Sequence, residues 1–347
     1  MRKSVALLSI ALIFTISCKK QNHLTVSTVA GSGLMGSADG NATEASFSNP
    51  MGLCLDEKGN IYVADSRNNK IRKVGPDGEV TTIAGSGAVG SADGKGAVAS
   101  FFSPVAVAVG KRGNVYVADT HNSLVRKING EGVVTTFAGR LPVGTDPKKP
   151  IRPVFDNPMS IITDAAGNVY IADWIHDKVR KITQDGKITT IAGTGDPGAK
   201  DGPCMSATFY LPEGIAADKR GNLYVSDTYN NMIRKISKDG VVTTLAGKLK
   251  KGNANGKGPA ASFSHPAGIA VDKNGTVYVA DSGNNLIRMI NPQGIVTTYA
   301  GTGERGRQDG SAETATFYRP VGVAVDTGGN VYVADYENNL VRKISRY

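Results

Sequence analysis

One fifteen-residue pattern recurs along the chain at constant spacing and limits what the chain can fold into. It begins as "NIYVADSRNNKIRKV" at residues 60–74, and near-copies end with "NVYVADYENNLVRKI" at residues 330–344. Its aspartates lie 54 residues apart each time, at Asp65, Asp119, Asp173, Asp227, Asp281 and Asp335. A fixed period of this kind is typical of repeat architectures, in which each copy is one structural unit packed on its neighbours.

Each repeat contains four extended segments separated by tight turns. In the first copy they are Met51–Asp56, Asn60–Asp65, Lys70–Val74 and Glu79–Ala84, all rich in residues that favour strands. The connecting residues are mostly Gly, Pro, Asn and Asp, which suit short reversals. The second segment is apolar without alternation, as expected for a strand covered on both faces. The pattern therefore predicts four-stranded antiparallel blades packed face to face around an axis.

The two ends of the repeat array complement each other. Residues 26–31, "VSTVAG", match the fourth strand of the first copy, "VTTIAG", and the last copy stops after its third strand. Pairing the two ends would complete a blade and remove the exposed edges of an open array. We therefore predict an all-β, six-bladed β-propeller over residues 24–347, closed by three C-terminal strands and one N-terminal strand.

Three short motifs resemble those of a known family. "PMGL" at residues 50–53, "GNIYVAD" at residues 59–65 and "NNKIR" at residues 68–72 are similar to the NHL repeat, and the resemblance covers residues 24–347. It implies that the first strand of each blade is innermost. Related six-bladed propellers include lyases and lactonases with metal or histidine sites, so the resemblance predicts a fold and leaves the activity open.

The first residues have the features of an export signal. Residues 1–17 carry Arg2 and Lys3 and then an apolar run too short to span a bilayer. The Cys18 that follows resembles the lipobox cysteine of bacterial lipoproteins, in the looser form of the Bacteroidota. This implies a signal peptide over 1–17, a lipidated tether over 18–23, and a cell-envelope lipoprotein of the outer membrane or cell surface. An ordinary cleaved signal, with Cys18 incidental, is the alternative.

Residues that every copy shares are predicted to maintain the fold, because a single site on the axis needs a given residue in one or a few blades. We expect the pattern aspartates to accept hydrogen bonds from backbone N–H groups of the following turn. A buried guanidinium needs a carboxylate or carbonyl partner, so we expect these aspartates to pair with the shared arginines. Those arginines are Arg72, Arg126, Arg180, Arg234, Arg288 and Arg342.

Residues that differ between copies are the candidates for ligand binding. They lie in the turn after each second strand, which should share one face with the long connections between blades. Aromatic rings beside polar groups suit a sugar ring or a protein contact. Neutral variation at exposed tips is the alternative. The candidates are Arg67, His121, Trp174, His176, Tyr229, Tyr336 and Glu337.

Charge and composition narrow the choice of partner. The net charge of +10 favours anionic partners, and an exported protein seldom meets nucleic acid, so we expect none. Basic residues concentrate in two interblade loops, which could favour an acidic ligand. One carboxylate per loop, as at Asp39 and Asp93, supplies too few oxygens for calcium, so we expect no metal and no cofactor. The basic loop residues are Arg140, Lys148, Lys149 and Arg152, and Lys248, Lys250, Lys251 and Lys257.

The sequence thus predicts a membrane-anchored extracytoplasmic binding or scaffold module. It would act as a monomer, held to the membrane by its lipid, and recognise a glycan or a protein on its long-loop face. The alternative is a metal- or histidine-dependent lyase or hydrolase with a site on the propeller axis. His121, His176 and Asp177 are the residues that could contribute to such a metal cluster, although zinc sites usually require further support.

Overall fold

The structure is a computed structural model that describes residues 23–139 and 154–346. The predicted signal peptide, Cys18, the tether up to residue 22, the basic residues Arg140, Lys148, Lys149 and Arg152, and Tyr347 lie outside the described residues. Within the described ranges, the chain has no helix both long and apolar enough to cross a membrane.

The described residues form six antiparallel sheets, which are the blades, each with strands a to d from the axis outward. Strands a are Pro50–Leu55, Pro104–Val109, Pro158–Thr163, Gly214–Ala217, Pro266–Val271 and Pro320–Val325. Strands b are Ile61–Asp65, Val115–Asp119, Val169–Asp173, Leu223–Asp227, Val277–Asp281 and Val331–Asp335. Strands c are Lys70–Val74, Leu124–Ile128, Lys178–Ile182, Met232–Ile236, Leu286–Ile290 and Leu340–Arg346. Strands d are Val80–Ala84, Val133–Ala138, Ile188–Ala192, Val241–Gly247, Ile295–Ala300 and, for blade 6, Leu24–Ala30.

The ring closes as the sequence predicts. Strand d of blade 6 comes from the N-terminal end of the described chain and pairs with strand c of that blade, Val26 opposite Ile344 and Thr28 opposite Arg342. Each strand a contacts the strands a of both neighbouring blades, including blade 6 with blade 1, so these strands are innermost. At this contact a Cβ on Gly322 would lie only 2.1 Å from the Met51 carbonyl oxygen, so the close approach requires glycine.

The long connections between blades cover the outer edges of the sheets. Two-residue strands pair with strand d of blades 2, 4, 5 and 6. Because an uncovered edge strand invites pairing with other chains, these additions protect the rim of the propeller. The short strands are Gly94–Lys95, Gly202–Pro203, Gly256–Lys257 and Gly310–Ser311.

Short 3₁₀ turns join strands b and c in five blades. They end on a residue in the left-handed region, such as Asn69 at φ 52°. The backbone N–H of Arg67 donates to the Ser48 carbonyl at the end of a long connection, and the other blades repeat this bond. The turns and the long connections therefore share one face, the long-loop face. The turns are Ser66–Asn68, Thr120–Asn122, Thr228–Asn230, Ser282–Asn284 and Tyr336–Asn338, and three further 3₁₀ segments are Gly96–Val98, Lys111–Gly113 and Gly258–Ala260.

The hydrophobic core lies between adjacent blades. Phe47 is fully buried among Ile61 and Val63 of blade 1 and Tyr332 and Val341 of blade 6. The other interfaces repeat this packing with the equivalent Phe and Tyr residues. Among the described cysteines, Cys54 and Cys204 are free thiols.

Candidate functional site

The shared aspartates and arginines form a buried clasp. In blade 1 the Arg72 guanidinium donates to Asp65 at 2.7 Å, and both side chains are fully buried. Arg72 also donates to the Ser46 and Ala38 carbonyls and lies 5.2 Å from the centre of the Phe47 ring. Equivalent Arg–Asp pairs occur in the other blades. The predicted pairing is therefore confirmed, and these residues hold each blade together.

The repeated aspartate of each blade accepts hydrogen bonds from donors that we did not expect. Asp65 accepts from the backbone N–H of Ser48, which precedes strand a, and from the side chain of Asn68 in the turn. The prediction of backbone donors within the following turn was wrong. Asp65 thus joins the end of the long connection to the turn, as well as binding the arginine.

The loop aspartates have a role that the sequence did not reveal. Asp39 accepts from Arg72 at 2.7 Å and also from the backbone N–H and hydroxyl of Thr82 on strand d. Asn255 accepts from Arg288 at 2.8 Å in the same position of blade 5. These residues anchor the long connection to its blade. The other loop aspartates that bind their arginine in this way are Asp93, Asp201 and Asp309.

Burial and hydrogen bonding have opposite effects on the pKa of the clasp aspartates. Burial raises the pKa of Asp227 to about 6, while Arg234, Asn230 and the backbone N–H of Tyr210 stabilise the charged form. The carboxylate is therefore mainly ionised at neutral pH, and its salt bridge with Arg234 is formed. Such a pair contributes to specificity of packing, and breaking it leaves a buried charge without compensation.

Blade 3 keeps the clasp with different residues. His176 occupies the position of Asn68, and its Nδ1 lies 2.9 Å from an Asp173 carboxylate oxygen. Asp177 occupies the position of Asn69 and accepts the backbone N–H of Leu211. The Nε of Arg180 donates to Asp173, and 16% of the Arg180 side chain is exposed, whereas Arg72 is fully buried. These bonds give His176 and Asp177 a structural role.

A channel runs along the propeller axis between the six strands a. It encloses about 330 Å³, and its walls are mostly Val, Ile, Leu, Met, Ala and Gly. Cys54 lies in this wall, and burial raises the pKa of its thiol to about 12, so the thiol is neutral. Glu213 is the one carboxylic acid among the lining residues that the structure describes.

Glu213 lies at the end of the channel that opens on the long-loop face. It immediately precedes strand a of blade 4, and its backbone N–H donates to the Ser226 carbonyl. Burial raises the pKa of its carboxyl group to about 7, and Arg319 acts in the opposite direction. Part of Glu213 remains accessible from the channel. A carboxyl group in this environment changes protonation state near neutral pH.

Aromatic and basic side chains lie on the long-loop face over blades 4 and 5. The rings of Tyr210 and Tyr229 are 5.4 Å apart, and Tyr229 meets His265 edge-on at 5.8 Å. The Lys251 ammonium lies 2.9 Å from His265 Nε2. The pKa of His265 is lowered by burial and by the charges of Lys251 and Arg319. This sector therefore has a positive potential.

Blade 6 extends the same sector. The Arg319 guanidinium lies 5.6 Å from the centre of the Tyr336 ring and 3.2 Å from the Glu337 carboxylate. We call Glu213, Tyr229, Lys251, His265 and Arg319 the mouth cluster. Of the predicted candidates, Tyr229 belongs to the cluster, and Tyr336 and Glu337 contact its Arg319.

The remaining candidates lie elsewhere on the long-loop face. Arg67 and His121 are exposed, and His121 contacts the Phe102 ring at 4.8 Å. Trp174 is partly buried, and its indole N–H is buried without a hydrogen-bond acceptor among the described residues. Trp174 therefore offers less surface than its turn position suggested.

Metal ligands do not gather in the described part of the chain. No group of three or more His, Cys, Asp or Glu side chains is placed there to hold a metal ion. His121 contacts Phe102, His176 binds Asp173 and Asp177 binds Leu211, so these three residues do not form a ligand set. The described residues that line the axis include no histidine.

The sequence held a signal for Glu213 that we did not use. The residues after the proline that opens each strand a are Met51, Val105, Met159, Glu213, Ala267 and Val321. One acid among five apolar residues marks a position where the channel differs. His265 and Arg319 were not among the predicted candidates. Each precedes the proline that opens a strand a, outside the turns from which the candidates were chosen.

Comparison with known proteins identifies the repeat. The model of the NHL repeat matches residues 47–74, 101–128, 209–236, 263–288 and 317–344. The chain is an NHL-repeat β-propeller. The matched segments belong to blades 1, 2, 4, 5 and 6, which keep the arginine clasp in its buried form.

Among curated proteins, this NHL-repeat propeller is similar to NHL repeat-containing protein 2 of Gallus gallus, with 32% identity over 84% of this chain and 46% of the relative. It is also similar to SUPPRESSOR OF QUENCHING 1 of Arabidopsis thaliana, with 31% identity over 76% of this chain and 27% of the relative. The chain therefore spans less than half of the length of these two relatives.

Solved structures share the propeller at low identity. An auxiliary nutrient binding protein from Bacteroides thetaiotaomicron has a TM-score of 0.71 at 18% identity, covering 94% of this chain and 77% of that chain. A streptogramin B lyase has a TM-score of 0.60 at 15% identity, covering 94% and 98% of the two chains. At these identities the likeness concerns the fold alone.

Proposed function

We propose that this protein is an envelope-tethered binding module that recognises a glycan at the channel mouth. The observation that carries the proposal is the mouth cluster. Tyr229 is 44% exposed beside Tyr210 at 39%, and the Tyr229 ring meets His265, which Lys251 contacts. Stacking of a sugar ring on an aromatic side chain needs such an exposed face, and nearby polar groups orient the hydroxyls.

A binding role also agrees with the structural relatives. Two solved Bacteroides propellers with the same fold are named auxiliary nutrient binding proteins. We favour a glycan over a protein ligand because Glu213 of the cluster lines a channel of about 330 Å³. A concave apolar opening with a few polar groups suits a small ligand or the end of a chain.

The tether would leave the mouth accessible. Strand d of blade 6 begins at Leu24, which pairs with Arg346 at the end of strand c. This end lies on the face opposite the long-loop face. A lipid on Cys18 would therefore hold the opposite face near the membrane, since residues 19–23 extend at most on the order of 20 Å.

Substitution of Tyr229 tests the binding site. We expect Tyr229→Ala to weaken binding of oligosaccharides about tenfold or more, because it removes the most exposed ring of the cluster. Binding is measured by titration calorimetry against plant, host and bacterial oligosaccharides. Ile175→Ala is the matched control, because Ile175 has the same turn position in blade 3 and is 41% exposed. Equal affinity of the wild type and Tyr229→Ala for a bound glycan would reject this site.

A further inference from the structure

The mouth cluster brings an unpartnered acid together with several basic groups. Among the described residues, no side chain or backbone N–H donates to the Glu213 carboxyl group, and Arg319 is the one charged group that shifts its pKa. A carboxyl group that loses hydration and gains no protein donor is costly, and one of the six matched positions carries it, so a ligand is the candidate partner.

The basic groups of the cluster have only weak partners. The Arg319–Glu337 pair is exposed, with 57% of the Arg319 side chain accessible. Such surface pairs contribute little to stability, so a ligand can replace Glu337 at little cost. The Lys251 ammonium contacts His265, whose lowered pKa leaves its ring neutral near pH 7.

We propose that the channel mouth binds the carboxylate of a uronic acid residue between Arg319 and the protonated carboxyl group of Glu213. The proposal rests on the glycan binding proposed above and names the class of sugar. A planar guanidinium binds a carboxylate through two parallel hydrogen bonds. The exposed Tyr229 ring, which contacts His265, and the adjacent Tyr210 ring would provide the surface on which the pyranose ring stacks.

Glu213 must hold its proton in this complex. Two carboxyl groups in contact cannot both ionise, so they share one proton, and the neutral one donates a hydrogen bond to the other. Since the pKa of Glu213 is raised to about 7 in the protein without ligand, little energy is needed to protonate it near neutral pH. Above pH 7 the acid must first take up a proton, and the affinity falls by up to about tenfold per pH unit.

Other groups at the mouth do not reproduce this dependence. The neighbouring strands a present Met159 and Ala267 at the level of Glu213, and neither titrates. The pKa of His265 is lowered, and His265 would lose positive charge over a more acidic range than Glu213.

Titration calorimetry with matched sugars tests the inference. The probes are oligogalacturonate and oligoglucuronate, the neutral galactose and glucose oligosaccharides of equal length, and a glucosamine oligosaccharide, each at pH 6, 7 and 8 and constant ionic strength. For the wild type we expect tighter binding of a uronate than of its neutral counterpart, and weaker uronate binding at pH 8 than at pH 6. Two buffers of different protonation enthalpy should reveal uptake of close to one proton at pH 8.

Four variants separate the two groups from general effects of charge. Glu213→Gln should make uronate affinity nearly independent of pH between 6 and 8, and Arg319→Ala should abolish the preference for uronate. The matched controls are Glu131→Gln and Arg220→Ala, exposed residues in turns of the opposite face, which should change neither property. Should Glu213→Gln fold poorly, Glu213→Met serves instead, because blades 1 and 3 have Met51 and Met159 at this position.

The outcomes distinguish this inference from the proposed function. Neutral sugars that bind as well as uronates, with loss on Tyr229→Ala, would leave glycan binding in place and overturn the uronate subsite. Stronger binding of the glucosamine probe at pH 8 would show that the ionised Glu213 receives a cation, which also overturns it. Failure of every probe to bind would reject both proposals.

Discussion

Glu213 shows how one residue that departs from the repeat places an ionisable group in an otherwise apolar channel. At the matched positions the other blades have Met, Val or Ala, which only fill space. The acid at this position loses hydration, and the pKa of its carboxyl group rises to about 7. The folded protein therefore retains a proton that the unfolded chain releases near pH 4.5. Stability is therefore linked to this proton, and in the proposed uronate complex binding is linked to it as well.

Glu213→Gln should alter the pH dependence of stability. Because the folded pKa of Glu213 is raised, the wild type loses stability as the pH rises from about 4.5 to 7, and the loss is constant above that range. The variant lacks this loss, so its free energy of unfolding should exceed that of the wild type by roughly 2–3 kcal/mol more at pH 8 than at pH 4.5. Urea unfolding at the two pH values measures the difference. An equal gap at both would contradict the raised pKa.

The arginine clasp makes a second prediction at the scale of single residues. Arg234→Ala should lower the free energy of unfolding by about 3–5 kcal/mol, because it leaves Asp227 charged and buried without its partner. Arg180→Ala is the matched comparison in blade 3. It should cost less, because 16% of the Arg180 side chain is exposed and water can solvate the remaining Asp173 more readily. Denaturant unfolding of both variants decides the order.

The strands and turns were the part of the structure most accessible from sequence. Their signals are local: a 54-residue period, turn residues at fixed offsets, and apolar runs of strand length. The contacts that we missed join distant positions. Asp39 binds Arg72 across 33 residues, and no pattern within one copy connects them.

The sequence also could not predict which side chains in the turns are exposed. Tyr229 and Trp174 have adjacent turn positions in blades 4 and 3, yet Tyr229 is exposed and Trp174 is partly buried. The difference depends on packing against the neighbouring blade, which the turn sequence does not encode. Turn position therefore correctly placed the candidates on the long-loop face but did not indicate which side chains are exposed.

The closing strand allows a prediction at the scale of elements. Val26 of strand d in blade 6 is 1% exposed in the core between blades 5 and 6. Val26→Asp should destabilise the fold by several kcal/mol, because it buries an unpaired charge in the strand that closes the ring. Ser27→Asp, one residue along on the exposed side of the strand, is the control. Similar thermal unfolding midpoints for the two variants would contradict a closed ring.

At the scale of the whole molecule, the two faces have different tasks in the proposed function. The opposite face carries the beginning of the described chain, and the long-loop face carries the mouth cluster. Tethering the opposite face leaves the channel mouth directed away from the membrane. This arrangement depends on Cys18, which lies outside the described residues.

Cys18→Ser tests the tether. We expect the wild type to partition with the membrane fraction and to incorporate a radiolabelled fatty acid in a bacterial host with lipoprotein processing. The variant should appear in the soluble fraction without the label, with unchanged glycan affinity, because the described chain begins on the face opposite the mouth cluster. A wild-type protein that is soluble and unlabelled would reject the lipid anchor and leave the binding site unaffected.

The most direct test of the account compares two variants of the same blade in two assays. We expect Arg234→Ala to lower the free energy of unfolding while the folded fraction keeps its glycan affinity. For Tyr229→Ala we expect the reverse: the glycan affinity is lost, and the free energy of unfolding stays within about 0.5 kcal/mol of the wild-type value. If Arg234→Ala instead removed binding at full stability, or Tyr229→Ala unfolded the propeller, the division between shared fold residues and blade-specific binding residues would be contradicted.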